Sequence, residues 1–379
     1  MTGAVLGLIA VAFVLAAPLT WLARAMGRRL GALDGPGVAG QVKAAVQRVP
    51  NTGGVGIFWG IALPIAAGVL VLRTPAAEWL VALAPGLKEH LPGLAQQTGP
   101  ALVFVGALAV LHIVGLIDDR RPMGPWLKLA VMLACGAAVV IGTESRLLTL
   151  LDGYAGGAWA SVAVTVLWIV VVTNALNFMD NMDGLAAGVA AIASTCFLAA
   201  TLLHERPQWF VGACLALVIG ACLGFLVFNF PRPRATIFMG DGGSLVLGFA
   251  LGFLTVRTTY YDPAAGGAAA GGWYGVFMPV VILAVPLYDF ASVCVIRISQ
   301  GRSPFVGDLQ HLSHRLERHG LSRRDAVLII YGLTAVTALG GIVLASLAPW
   351  QAVVLGVQTL AVLATLAVYE GRRGAEGRP

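Results

Sequence analysis

Residues 159–188 read WASVAVTVLWIVVVTNALNFMDNMDGLAAG. From 159 to about 176 the stretch is apolar, close to the ~20 residues that a helix needs to cross the hydrocarbon core of a bilayer. It then turns polar at every third position, Asn174, Asn177, Asp180 and Asp183, before a second apolar run opens at Gly184. Neighbours three apart on a helix touch, so the pattern predicts a spiral of side-chain oxygens at the membrane edge. Helix capping by Asn and Asp explains one or two such residues, not a run this dense. Oxygen donors of this kind suit Mg2+ or Mn2+ rather than zinc.

The rest of the chain repeats the apolar half of this pattern. Of its 379 residues, 58% are hydrophobic and only 11% charged, against ~25% charged in an average soluble domain. Eleven apolar runs lie at about 4–23, 54–72, 100–117, 126–143, 159–176, 184–203, 208–229, 242–256, 274–296, 326–346 and 350–369. The eighth is short and Gly-rich. The first is too long for a signal-peptide core and lacks a clear cleavage site, so it reads as a retained helix. The fold class expected is all-α: a polytopic integral membrane protein of about eleven transmembrane helices, forming one domain over 1–379. The five cysteines, Cys135, Cys196, Cys214, Cys222 and Cys294, fall inside these runs without metal-ligand spacing and read as small buried apolar side chains. The Gly/Ala stretch near 264–272 reads as a flexible outer connector.

Topology follows from the basic residues. With the first loop placed inside, 19 of the 24 Lys and Arg fall on inner segments, as the positive-inside rule requires. The N-terminus is then outside and the C-terminus cytoplasmic. The net charge of +6 reports this topology and anionic partners at a membrane surface, not nucleic acid. Twelve of the 18 acids also lie on or near the inner side. No insertion rule asks for that, so it asks for a chemical reason. The inner loops are about 24–53, 118–128, 177–184, 230–244 and 297–325.

Two of those loops add carboxylates to the Asn/Asp run. Gly115-Leu-Ile-Asp118-Asp119-Arg120-Arg121 ends the third span. Adjacent carboxylates at a membrane boundary disfavour joint ionisation unless a cation or guanidinium relieves them. Lys128 follows at the start of the fourth span, in reach of an anion at the same surface. Phe238-Met-Gly240-Asp241-Gly242-Gly243-Ser244 precedes the eighth span. Its glycines let backbone approach a ligand, and the helix N-terminus behind them is a natural phosphate site, with Asp241 holding a cation beside it.

Three further features are polar. Asp289, in Pro286-Leu-Tyr288-Asp289, lies inside the ninth span, where an acid faces a cavity or a partner. The loop Gly301 to Arg315 predicts a helix over 308–319 with His311, His314, Arg315 and Arg318 on one face, an anion cradle. Gly320 would end it, and Ser322 with Asp325 would cap the tenth span. Arg48-Val-Pro-Asn-Thr-Gly-Gly54 leads into the second span and, alone, is accounted for by a turn. His112 reads as a satisfied packing residue.

Taken in order, the Pro-x-x-Gly-Gly entry at Pro50, the Asp118-Asp119 pair, the run from Asn174 to Gly188, the Gly240-Asp241 turn and the His-rich loop resemble the polyprenyl-phosphate N-acetylhexosamine-1-phosphate transferase family, glycosyltransferase family 4. The resemblance runs from about Pro50 to about Arg324. It implies Mg2+-dependent transfer of N-acetylhexosamine 1-phosphate from a UDP-sugar to undecaprenyl phosphate, with release of UMP. It implies Asp241 and Asn177 as metal ligands, and Asp180 and Asp183 near the metal and nucleotide. Asp118 would engage the lipid phosphate, and Lys128, Arg302 and His311 the phosphates. Asn174 and His314 complete the expected substrate-binding set, and Asp119 shares the catalytic role of its neighbour. Pro286-x-x-Asp289 and His311-x-x-His314 look like the branch that uses UDP-N-acetylglucosamine rather than UDP-N-acetylmuramoyl-pentapeptide. One departure is Ser313, where that branch commonly has a histidine. Expected partners are the UDP-sugar, undecaprenyl phosphate, membrane lipids and, as a homodimer, a second copy of the chain. A secondary transporter of an anion is the rival from another class. A CDP-alcohol phosphotransferase is a weaker one, since Gly188 stands where its signature has arginine.

Overall fold

The computed structural model describes residues 1–35, 48–83, 85–149, 152–204, 207–230, 234–258, 273–305 and 307–372. The connector expected near 264–272, and parts of the inner loops 24–53 and 230–244, lie outside these residues. The first eight apolar runs each form a helix: α1 Thr2–Arg29, α2 Gly54–Leu72, α3 Thr98–Asp118, α4 Pro125–Thr143, α5 Trp159–Met179, α6 Leu185–Leu203, α7 Trp209–Asn229 and α8 Asp241–Thr258. They continue as α9 Ala284–Ser299, the short α10 Leu312–Arg318, α11 Arg323–Val343 and α12 Pro349–Arg372. Lipid leaves backbone polar groups unsatisfied, so a spanning segment must close its hydrogen bonds internally. That requirement makes the runs helical whatever their β propensity, as in the Val-rich α5.

Nine helices among the described residues are long and apolar enough to cross a membrane, and a bent pair brings the number to ten. The chain is a multi-pass membrane protein. The count of about eleven runs differs at α8, whose ends carry Asp241 and Arg257. This helix is buried from Gly242 to Val256 and packs against α2, α3, α5 and α6. With α7 also against it, five helices surround it. Its contact with α5 uses Gly248-x-x-x-Gly252: a Cβ at Gly248 would come within 2.7 Å of the Thr173 backbone. Small residues at four-residue spacing let helix backbones approach where no hydrophobic effect drives association. Gly220-x-x-x-Gly224 of α7 does the same against α1, where a Cβ on Gly220 would meet the Ile9 carbonyl at 2.2 Å.

The run expected as one span at 274–296 is broken. Segments 274–282 and 284–299 meet at 71°. Pro286, in the first turn of α9, cannot donate to the carbonyl one turn back and clashes with it, which is the physical cause of the bend. The other expected helix, 308–319, starts late. α10 covers only 312–318, because His311 is extended, with φ −66° and ψ 152°. Its end is as expected: Gly320 has φ +93°. Ser322 accepts from the Asp325 amide at 3.1 Å and caps α11.

Candidate active site

The first turn of α8 gathers the sequence motifs. Gly240, with φ +71°, turns the chain into the helix. Asp241 then projects between Lys128 and Asn177. Its Oδ2 accepts from Lys128 Nζ of α4 at 2.8 Å. Its Oδ1 accepts from Asn177 Nδ2 of α5 at 2.9 Å, and the same amide lies 2.8 Å from Ser244 Oγ. Lys128 also donates to Asp118 Oδ2 at 3.0 Å, while Asp118 Oδ1 accepts from the Met123 amide at 2.6 Å. Asp118 and Lys128, joined by a short loop, thus form one cluster with the distant Asn177 and Asp241 where four helices end or begin.

Asp119 faces the other way. Its Oδ1 accepts from Asn51 Nδ2 at 2.9 Å and from the Asp241 amide at 3.0 Å, and its Oδ2 from the Gly242 amide at 3.3 Å. It caps α8. This corrects the expectation of an open phosphate site at that helix N-terminus, since two of its amides are already taken. The glycines beside it are likewise used for packing rather than for a ligand. A Cβ on Gly243 would meet Gly54 Cα at 2.8 Å, and one on Gly115 would meet the Asp241 carbonyl carbon at 2.4 Å. Segment 236–240 docks on the Pro50–Gly54 entry, with Phe238 N donating to Pro50 O at 2.8 Å and Gly53 N to Phe238 O at 2.9 Å. In the sequence that entry reads as a turn, and the role of Asn51 as a partner of Asp119 is not visible there. Nothing in a single Asn before two glycines distinguishes the two roles.

The expected spiral of oxygens breaks where α5 ends at Met179. Asn177 and Asp180 join the cluster. Asn174 is turned along the membrane-spanning part, its Nδ2 donating to Val170 O at 2.8 Å and lying 3.6 Å from Met132 Sδ. Asp183 accepts from the Ala235 amide at 3.1 Å and braces the 234–240 segment instead. Asn229, another residue the sequence did not flag, holds both sides of that loop: Gly184 N donates to its Oδ1 at 2.7 Å, and its Nδ2 donates to Ile237 O at 2.9 Å.

Charge at this end is unbalanced. Burial, with the negative charges of Asp241 and Asp118 beside it, pushes the Asp119 carboxyl up to about 7 against the pull of two backbone amides. Asp180 is raised well above the ordinary carboxylate range by burial and then by Asp241, Asp119 and Asp183. Asp118 and Asp241 share one ammonium, Lys128, and Asp119 and Asp180 add their carboxyls beside Asp241 without a basic partner of their own among the described residues, so a further cation would stabilise the arrangement. Among the described residues no three His, Cys, Asp or Glu side chains form a ready cage. Asp241 offers a hard carboxylate oxygen of the type Mg2+ takes, and Asn177, whose amide nitrogen faces Asp241 here, would present its oxygen to an ion by turning its amide over. That ion is typically held by one or two carboxylates together with substrate phosphates. The residue set fits such an ion.

The His-rich loop is built around a buried carboxylate. Asp289 is 1% exposed. Its Oδ2 lies 3.0 Å from His311 Nδ1, and its Oδ1 accepts from the Leu312 amide at 2.6 Å. The partner expected for an intramembrane acid is thus a histidine and a helix start. Arg297, also buried, donates to Asp308 Oδ1 at 2.9 Å and to Pro304 O at 2.7 Å. It lies 5.2 Å over the Phe178 ring, next to the Asn/Asp run.

The expected single basic face divides. His311 turns to Asp289. His314 lies near Glu317 at 3.5 Å. Arg315 donates to Gln310 O at 2.7 Å and Ser292 Oγ at 2.8 Å, and Arg318 to Leu309 O at 3.0 Å. With α10 starting at 312, the wheel drawn from 308 does not apply. Arg302 is exposed. Phe305, three residues on, packs on Trp126 of α4 with ring centres 5.0 Å apart, which brings the loop towards Lys128. Ser313, the departure from the histidine pattern, is buried and donates to Asn181 Oδ1, joining α10 to the Asn/Asp loop. His112 is a satisfied packing residue, as read: it stacks on Phe58 and lies 2.7 Å from the Gly242 carbonyl.

Comparison with known proteins adds an independent line. The model of glycosyl transferase family 4 matches residues 101–259, which include Asp118, Lys128, Asn177 and Asp241. The decaprenyl-phosphate N-acetylglucosaminephosphotransferase of Mycolicibacterium smegmatis is 33% identical over 88% of this chain and 81% of its own length. A probable undecaprenyl-phosphate N-acetylglucosaminyl 1-phosphate transferase of Bacillus subtilis is 29% identical over 88% and 82%. The undecaprenyl-phosphate alpha-N-acetylglucosaminyl 1-phosphate transferase of Escherichia coli is 26% identical over 85% and 79%.

Proposed function

The chain belongs to glycosyl transferase family 4, and on that premise we propose that it transfers N-acetylglucosamine 1-phosphate from UDP-N-acetylglucosamine to a polyprenyl phosphate, releasing UMP. The observation that carries the reading is the meeting of Asp118, Lys128, Asn177, Asp180 and Asp241 at one end of the helix bundle, in a chain whose relatives are named for this reaction. Acids gathered at helix ends also count against a transporter, whose site lies near mid-membrane. The positive-inside bias supports a cytoplasmic active site in a bacterial inner membrane.

In the proposed reaction an oxygen of the acceptor phosphate attacks the sugar-bearing phosphorus, and the bond to UMP breaks. A phosphate monoester has a second pKa near ~6 and is largely dianionic at neutral pH, so no strong base is needed. The obstacle is repulsion between anions. Mg2+, held by Asp241 and Asn177, would supply charge neutralisation at the diphosphate. Lys128 contributes a fixed ammonium between Asp118 and Asp241. Asp118 orients the acceptor phosphate or takes its residual proton. Asp119 keeps Asp241 in place through the α8 amides, and His311 contacts a donor phosphate while Asp289 holds its ring.

The test uses purified protein, undecaprenyl phosphate, Mg2+ and radiolabelled UDP-N-acetylglucosamine, with and without EDTA. Metal-dependent label in the organic phase with matching UMP is expected. Label only with another UDP-N-acetylhexosamine would move the substrate. No label and no UMP with any donor would overturn the reading.

A further inference from the structure

The last helix, α12, is the least enclosed of the spans: 11% of its most apolar window is buried. Its final described turn behaves differently. The Glu370 side chain is only 8% exposed, and its Oε2 lies 3.1 Å from Arg315 Nε. The same oxygen accepts from Tyr288 OH at 3.0 Å. One residue earlier, the Tyr369 ring lies 5.0 Å from that of His319. A helix that needed only to sit in lipid would carry no acid there, because a buried carboxylate costs several kcal/mol unless paired.

Arg315 has a second acid in reach. Asp289 Oδ1 lies 3.9 Å from its Nη2, and Asp289 is the residue that holds His311. Two carboxylates therefore share one guanidinium, and the nearer one is on the C-terminal helix. We propose that Glu370 is a positioning residue for the transfer site: by engaging Arg315 it leaves Asp289 to orient His311. Without Glu370, Arg315 draws on Asp289, and the histidine loses the partner that sets its ring. The C-terminal helix thus acts on the site from outside it, through Glu370, Arg315, Asp289 and His311 in turn. The proposal rests on the reading of His311 as a contact to the sugar-nucleotide phosphates.

The test compares wild type, Glu370→Gln, Arg315→Gln and the double variant. Misplacing one substrate contact by an ångström costs up to about 100-fold, so Glu370→Gln is expected to raise the KM for the UDP-sugar roughly 10-fold or more. The double variant, which no longer has a stray guanidinium to attract Asp289, is expected to recover most of that loss. An unchanged KM in Glu370→Gln, or losses that simply add in the double variant, would overturn the proposal. Should Glu370→Gln fail to fold, Tyr288→Phe loosens the same carboxylate and should raise KM in the same direction with unchanged melting. Trypsin cleavage after exposed Arg302 provides a readout independent of turnover. Faster cleavage in Glu370→Gln supports the clamp, and equal cleavage overturns it. A wild type inactive with every donor would overturn the proposed function, while the cleavage arm would still decide the clamp.

Discussion

Asp118 and Asp119 are neighbours in sequence but serve different groups. Asp118 meets Lys128 at the open cluster, and Asp119 meets Asn51 and two amides of α8. Their amide variants should therefore differ in kind. Asp119→Asn turns an NH2 group against backbone N–H donors, an unmade buried hydrogen bond worth about 1–3 kcal/mol, so melting temperature and activity should fall together. Asp118→Asn can keep its carbonyl oxygen on the Met123 amide and faces only the flexible Lys128 with its NH2, so it should lose less in melting than Asp119→Asn while losing about 100-fold or more in kcat, as expected of a group that orients the acceptor phosphate or takes its proton. Thermal melts beside initial rates separate the two, and equal melts would contradict the helix-capping role of Asp119. A second residue-scale expectation concerns pH. Burial lowers the pKa of His314 from 6.5, against the opposing contact with Glu317 and with His311 and Arg323 reinforcing the shift. The unfolded chain then takes up this proton before the folded one does, so stability is lost as pH falls from 6.5 towards the folded value. Melting curves across that window should slope less steeply in His314→Gln.

Among the elements, α8 shows how a weak signal can mark a central piece. The run at 242–256 is short and rich in glycine, which reads as a poor span. The glycines are there because five helices crowd one axis, and each close approach leaves no room for a Cβ. Gly115→Ala tests this directly. Its Cβ would lie 2.4 Å from the Asp241 carbonyl carbon and from the Gly242 nitrogen. Overpacking of that kind costs typically ~1–3 kcal/mol, and here it displaces Asp241 as well. Melting temperature and transfer rate are both expected to fall, whereas Gly106→Ala on the same helix, with open space around it, should change neither. The His-rich loop teaches the opposite lesson. A helical wheel over 308–319 sorted its basic residues well, yet α10 starts at 312 because Asp289, about twenty positions earlier, holds His311 and the Leu312 amide. No local pattern contains that partner.

At the scale of the whole molecule, the inner end of every helix pair carrying a motif comes to one place. Asp118, Asp241 and the Asn/Asp loop lie at the same end of the bundle as α10. The excess of basic residues on these loops leads to the expectation that this end is cytoplasmic, and impermeant thiol labelling tests it. In a cysteine-free background, Ser303→Cys should be labelled in inverted vesicles and not in intact cells. Glu78→Cys, on an outer connection, should show the reverse. Labelling of both from one side would overturn the topology.

The sequence alone determined the lipid environment, the helical class, the sidedness expected of the loops and the identity of most charged groups at the site. These depend on run length, residue type and charge counts, which are properties of short stretches. Tertiary structure alone decided that Asp119 caps α8, that Asn174 and Asp183 stand apart from Asp241, that Asn51 and Asn229 hold the loops, and that Glu370 reaches Arg315. The contacts of Asp119 with Asn51 and α8, of Asn229 with Gly184 and of Glu370 with Arg315 join residues from 45 to 123 positions apart, and hydrogen bonds only a few ångströms long cannot be inferred from spacing along a chain whose helices can pack in many ways.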